Sequence, residues 1–144
     1  MALTFRNPSL EQRCALLKQV KTIAVVGLSP NPARPSHRIA ARLQALGYRI
    51  VPVRPLVQEV LGEPAHARLA DVPVRIDLVS VFRASAHLPA IAEDVLALGI
   101  AALWAQEGVW NEAAGLTLQA AGVTVVMDEC ISRDQRQCAA LAAP

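Results

Sequence analysis

Apolar residues fall along this chain in short continuous runs, and stretches of helical period separate them. Thr22-Ile23-Ala24-Val25-Val26 is such a run, rich in β-branched residues, the pattern of a strand covered on both faces. Tyr48–Val53, Ile76–Phe82, Ile100–Trp104 and Val123–Met127 repeat it. Between the runs, apolar positions recur every three to four residues. Ser9 and Gln12 form a capping-box pattern that opens a helix over Leu10–Gln19, with Leu10, Cys14, Leu17 and Val20 on its buried side. Ser36 is placed to cap a helix beginning at His37, in which Ile39, Leu43 and Leu46 share a face and Gly47 ends it. Ser85 precedes a helix over Leu88–Leu98 closed by Gly99, and Asn111 caps another closed by Gly122. Residues 1–8 read as an irregular lead-in. Leu56–Pro73 is less regular, with a short edge strand expected near Ala65-His66-Ala67 and one helical turn near Leu69-Ala70.

Helix, glycine, strand occurs three times in this order. That alternation predicts an α/β fold: a Rossmann-like, doubly wound parallel sheet of about five strands with helices on both faces. The length of 144 residues fits one domain spanning the whole chain, 1–144. At 53% hydrophobic and 18% charged, the chain has ample material for a core, although aromatics are scarce. A net charge of +2, with no basic run, argues against a nucleic-acid surface. No apolar run approaches the ~18 residues of a membrane span, and the N-terminus lacks a signal-peptide core. Cys14, Cys130 and Cys138 are an odd set without CxxC spacing. They argue against a disulfide framework or a zinc site, and for a reducing compartment; the expectation is a cytoplasmic protein with Cys14 as a core thiol.

The chemistry concentrates in TIAVVGLSPNPARPSHR, residues 22–38. Gly27 ends the first strand and permits a sharp turn. Pro30, Pro32 and Pro35 stiffen the loop. The backbone of Gly27–Ser29, the start of the next helix and the charges of Arg34 and Arg38 make an anion site at a helix N-terminus. In an open α/β sheet the ligand sits beyond the carboxyl ends of the strands, where strand order reverses. With Thr22–Val26 central and Asp77–Phe82 beside it, Gly27-Leu28-Ser29 and Phe82-Arg83-Ala84 would face each other across that crevice. Arg54 and Pro55 follow the second strand on the other flank. The dinucleotide fingerprint G-x-G-x-x-G is absent, and Arg54 stands where an acidic residue would hold a ribose 2′-hydroxyl. Both features disfavour NAD. An extra phosphate beside the ribose suits Arg54, which leaves NADP and coenzyme A.

The run VVGLSPNPARPSHRIAARLQALGYRIVPVRP, followed by IDLVSVFR, ALWAQEGVWNEAA and VVMDECI, resembles the small bacterial and archaeal CoA-binding proteins. These are single Rossmann-type domains similar to the CoA-binding domain of the succinyl-CoA synthetase α subunit. The resemblance covers roughly residues 10 to 132. It implies coenzyme A as the ligand, with its phosphates on Gly27, Leu28, Ser29, Pro30, Arg34 and Ser36. The nucleotide end would lie against Arg54, Pro55, Phe82 and Arg83. The chain departs from the family at Val53-Arg54-Pro55, where Val-Asn-Pro is usual. A second departure is Glu129–Gln135, where Arg-Cys-Ile is often followed by a lysine and a histidine.

The function expected is a non-catalytic module for CoA or acyl-CoA, a metabolic sensor or regulatory unit, with a small-molecule ligand and neither nucleic acid nor membrane as partner. Two alternatives stand beside it: a small NADP-dependent oxidoreductase, and an interaction protein with a vestigial nucleotide pocket. His37 falls in the first turn after the loop, and His66 and His87 fall in connections without metal-ligand spacing. Ser29 lacks the G-x-S-x-G elbow of a nucleophile. Glu107 and Asp128 end adjacent strands and are the available acid–base pair. Cys130 follows the last strand, on the edge that a pantetheine thiol could explore.

Overall fold

Hydrophobic periodicity and capping residues together set the element boundaries. The computed structural model describes residues 4–143, so the expectations for residues 1–3 and 144 lie outside it. In chain order the elements are α1 (Leu10–Gln19), β1 (Thr22–Val26), α2 (Pro35–Ala45), β2 (Arg49–Val53), β3 (Glu59–Val60), β4 (Glu63–Pro64), β5 (Leu78–Val81), α3 (Leu88–Leu98), β6 (Ala102–Ala105), α4 (Glu112–Ala120), β7 (Thr124–Val126) and α5 (Ile131–Ala142). Single 3₁₀ turns occupy Leu69–Asp71 and Ser85–His87. β2, β1, β5, β6 and β7 line up in that order, all parallel, and β3 pairs with β4 as a separate antiparallel hairpin. The chain therefore leaves β1 toward β2 on one side and returns to β5 on the other. Strand order reverses between β1 and β5, as the sequence implied.

Alternate residues of each strand feed two cores. Ala24, Val26, Val79, Val81 and Leu103 pack with Leu88, Val95 and Leu118 from α3 and α4. Ile23, Val25, Ile50, Leu78 and Trp104 pack with Leu17, Leu43 and Ile131 from α1, α2 and α5. Helices thus cover both faces of a five-stranded sheet. Ser9 and Gln12 form the reciprocal capping box at α1. Asn111 Oδ1 accepts from the Ala114 N–H at 2.9 Å, and Gly99, in the left-handed conformation at φ 66°, ends α3. The lead-in is irregular but pinned. Phe5 is buried and donates its N–H to Glu112, and the Asn7 amide exchanges two hydrogen bonds with the Met127 backbone.

Several expectations need correction. α2 begins at Pro35 with Arg34 as its N-cap, not at His37 with Ser36. Proline suits the first helical position, where no N–H is needed, and its fixed φ starts the helix earlier. Ser85 does not cap α3; its Oγ accepts from the Trp110 N–H at 2.9 Å. The edge strand near His66 is a single parallel bridge from His66 to Val53. The largest correction concerns the cysteines. Cys14 and Cys138, 124 residues apart in sequence, are joined by a disulfide with their Cα atoms 5.4 Å apart. Cys14 is thus neither free nor a core thiol. α5, a helix that the hydrophobic pattern does not predict, carries Cys138 to α1. The buried Arg13–Asp134 ion pair at 2.7 Å joins the same two helices.

Candidate functional site

The crossover from β1 to α2 and the end of β5 meet at the switch point. Gly27 turns the chain there at φ 85°. A Cβ at this position would sit 2.7 Å from the Phe82 carbonyl oxygen, so the close approach that demands glycine is to the neighbouring strand. Beyond it the loop is built from its own hydrogen bonds. The Ser29 N–H donates to Ser36 Oγ at 3.0 Å, and Ser29 Oγ accepts from the Asn31 N–H at 3.1 Å. Asn31 Oδ1 accepts from the Ala33 N–H at 3.0 Å, and the Asn31 carbonyl from the Arg34 N–H. Gly27 N–H donates to the Val53 carbonyl. The N–H groups expected to cradle an anion at Gly27 and Ser29 are therefore engaged within the fold. The Ser36 hydroxyl serves the loop rather than the helix end. Pro35 has no N–H to offer, so the first N–H of α2 is that of Ser36.

Charge at this site comes from side chains. Gly27, Ser29, Arg34, Ser36, Arg54 and Phe82 line an open cleft of about 590 Å³, together with Pro30, Asn31 and Pro35. A second cleft of about 350 Å³ adjoins it, walled by Gly27, Val53, Arg54, Pro55, Phe82 and Arg83. The two share Gly27, Arg54 and Phe82, so they form one groove across the switch point. Among the described residues no aspartate or glutamate lines it, and Arg34, Arg54 and Arg83 have no carboxylate partner. Arg54 is half-buried, with its N–H donating to the His66 carbonyl at 2.8 Å. Arg83 is exposed and donates to His87 Nε2 at 3.1 Å. Phe82 is half-buried and presents an aromatic surface between the two clefts. Three unpaired guanidiniums with an aromatic face can hold a polyanionic, ring-bearing ligand. Arg38 turns away and donates to the Ala33 carbonyl.

Leu28 is the one expected site residue whose side chain points elsewhere. It is fully buried in the α1–α2–α5 core, so its contribution to a ligand is confined to its main chain. Asn31 lines the groove and was not among the residues read from the sequence. Its Oδ1 accepts from the Ala33 N–H two residues on, which makes an Asx turn.

The other half of the same sheet edge is closed. Gln106, 5% exposed, donates to Ser80 Oγ at 3.0 Å and accepts from the Ile131 N–H at 3.1 Å. Trp104 donates its indole N–H to the Glu129 carbonyl at 2.8 Å. Asp128, at φ 59°, accepts from the Gly108 N–H at 2.7 Å, whereas Glu107 is exposed and faces Arg133. The acid–base pairing considered for Glu107 and Asp128 is not formed. Arg133 also donates to Glu129 at 2.8 Å, and that bond raises its pKa above the ordinary arginine value. Cys130 is free, half-buried and the N-cap of α5. Among the described residues no three histidine, cysteine or carboxylate side chains come together as metal ligands, and no helix is long and apolar enough to cross a membrane.

Comparison with known proteins gives one direction. Residues 21–135 match the model of a family described as the CoA binding domain. The Bacillus subtilis (strain 168) protein YneT is 44% identical over 126 residues, spanning 88% of this chain and 93% of that one. A Thermus thermophilus structure superposes with a TM-score of 0.86 at 35% identity, over 91% of this chain and 99% of the other. A hypothetical protein from Pyrococcus horikoshii OT3 does so at 0.88 and 27%, over 96% and 99%.

Proposed function

The chain belongs to the CoA binding domain family, and from that premise we propose that it binds coenzyme A or an acyl-CoA in the groove at the β1/β5 switch point. In this reading the protein is a binding module, a sensor or regulatory unit, rather than a catalyst. The observation that carries it is the set of three arginines, Arg34, Arg54 and Arg83, left without carboxylate partners around Gly27 and Phe82. Arg34 and the first turn of α2 take the diphosphate. Arg54 takes the phosphate on the ribose, and Phe82 and Pro55 flank the base. Ser29, buried and already bonded to Ser36 and Asn31, positions the loop. The compartment we propose is the cytoplasm, with the Cys14–Cys138 pairing removing the support that unpaired cysteines would have given. A disulfide there belongs to the transient, redox-active kind.

The test is to denature freshly purified protein and identify the released nucleotides by mass spectrometry, then to compare thermal shifts. CoA at ~100 times its dissociation constant should stabilise by about 2.7 kcal/mol. Release of CoA, or a larger shift with CoA than with NADP and NAD, supports the reading. A shift with NADP and none with CoA transfers the groove to the oxidoreductase alternative. No shift with any nucleotide favours the vestigial pocket.

A further inference from the structure

The Cys14–Cys138 bond lies in the α1–α5 seam, and it is reachable. Both cysteines are partly exposed, and both line a surface cleft of about 350 Å³ that also contains Lys18, Lys21, Tyr48 and Gln135. This cleft is built from the ends of α1 and α5 and the residues leading into β1 and β2, Lys21 and Tyr48. It therefore opens at the amino edge of the sheet, opposite the arginine groove. Two lysines and no carboxylate line it among the described residues. One turn along the same seam, Asp134 and Arg13 form their ion pair, with side chains 2% and 13% exposed. That pair is a second tie between α1 and α5 beside the S–S bond.

We propose that Cys14–Cys138 is a thiol-exchange site served by small acidic thiols that enter the Lys18–Lys21 cleft. The thiolate R–S⁻ attacks Sγ of Cys138. The S–S bond breaks, and its electron pair leaves on Sγ of Cys14. The departing Cys14 thiolate has Lys18 four residues along the same helix face, whereas Asp134, at the equivalent distance from Cys138, is already paired with Arg13; Lys18 selects which sulfur leaves. The product is a mixed disulfide, Cys138–S–S–R, with Cys14 free. A second R–S⁻ attacks the sulfur of R in that mixed disulfide, releasing RSSR and leaving Cys138 as a thiolate. Proton uptake from water completes the dithiol. Overall, two thiols are oxidised and one protein disulfide is reduced. Tyr48, whose hydroxyl donates to the Leu17 carbonyl, is part of the cleft wall.

The experiment uses the full chain carrying Cys130→Ser, oxidised with glutathione disulfide, so that Cys14 and Cys138 are its only cysteines. Glutathione is the acidic probe and cysteamine the basic one, each normalised to its rate with a free small disulfide. After rapid alkylation, peptide mass spectrometry locates the adduct. The expected result is a glutathione adduct on Cys138 with Cys14 alkylated, formed without denaturant and several-fold faster than the cysteamine adduct. Lys18→Ala with Lys21→Ala should erase that preference while leaving the thermal unfolding of the oxidised protein within a few degrees. Cys14→Ser should still accept glutathione disulfide at Cys138, which keeps the assignment testable if the lysine variants misfold. Failure of the two thiols to pair, reduction that occurs only in denaturant, an adduct confined to Cys14, or equal rates for the two probes would each overturn the proposal.

Discussion

The carboxyl edge of this sheet has two halves, and they treat polar groups in opposite ways. Beyond β6 and β7 the polar side chains at the strand ends have partners in the protein: Gln106 bridges Ser80 and Ile131, Trp104 reaches Glu129, and Asp128 holds Gly108. Beyond β1, β2 and β5 the loop backbone is equally well bonded, yet Arg34, Arg54 and Arg83 stand around a groove with no acid beside them. A buried polar group without a partner costs ~1–3 kcal/mol, so the closed half has to be complete. Solvated guanidiniums carry no such cost, and the open half can keep its charge available for a ligand. The loop is stiffened by its own bonds, so Arg34 is offered from a fixed frame. Preorganisation of that kind lowers the ordering cost of binding.

The comparison is broken most severely by cutting the anchor of α5, the helix that roofs the closed half. Asp134→Ala strands Arg13 in the seam and should cost roughly 3–5 kcal/mol, read as a lowered denaturant midpoint at constant slope. Gln106→Leu follows. It removes the partner of the Ile131 N–H and of Ser80 Oγ, and a loss of about 2–4 kcal/mol in stability should come with unchanged CoA affinity in the folded fraction. Substitutions in the open half should show the reverse. Arg34→Ala or Arg54→Ala should move stability by less than about 0.5 kcal/mol but weaken CoA binding by roughly 1.5–3 kcal/mol, measured calorimetrically. Gly27→Val blurs the two classes: its Cβ meets the Phe82 carbonyl, so lost binding should come with a lowered Tm.

Acid gives the smallest and most general effect. Asp77 accepts from the Thr22 and Lys21 N–H groups at 3.0 Å, and these bonds, Thr22's foremost, hold its carboxyl below the ordinary range. A depressed folded value means stability present above the unfolded pKa of about 3.9 and lost as pH falls through the folded one. Asp77→Asn should flatten that acid limb of the stability curve while leaving nucleotide affinity at neutral pH untouched.

Much of this was legible beforehand, for identifiable reasons. α1, α3 and the five main strands announce themselves through period and caps, and the switch point follows from the alternation itself. What escaped was set either by an atypical local turn or by distant parts of the chain. The hairpin of β3 and β4 turns through Leu61 and Gly62, both at positive φ, without the Asn-Gly or Asp-Gly signal of such turns. α5 mixes buried Ile131, Ser132 and Asp134 with exposed arginine, and its buried acid is explained only by Arg13, 121 residues away. The disulfide is invisible for the same reason, since spacing says nothing about helices that meet in a seam. In the site, the residue types were legible but the bonding of the loop was not: which N–H groups are already engaged depends on where Ser36 Oγ points.

The central claim is that the arginines of the open half hold coenzyme A. The most direct measurement is a calorimetric titration of CoA, its 3′-dephospho form and NADP into wild type, Arg34→Ala and Arg54→Ala. The account predicts that wild type prefers CoA to both other nucleotides. Arg34→Ala should weaken CoA and dephospho-CoA alike, and Arg54→Ala should weaken CoA and erase its advantage over dephospho-CoA. CoA affinity unchanged in both variants, with their fold intact, would contradict it.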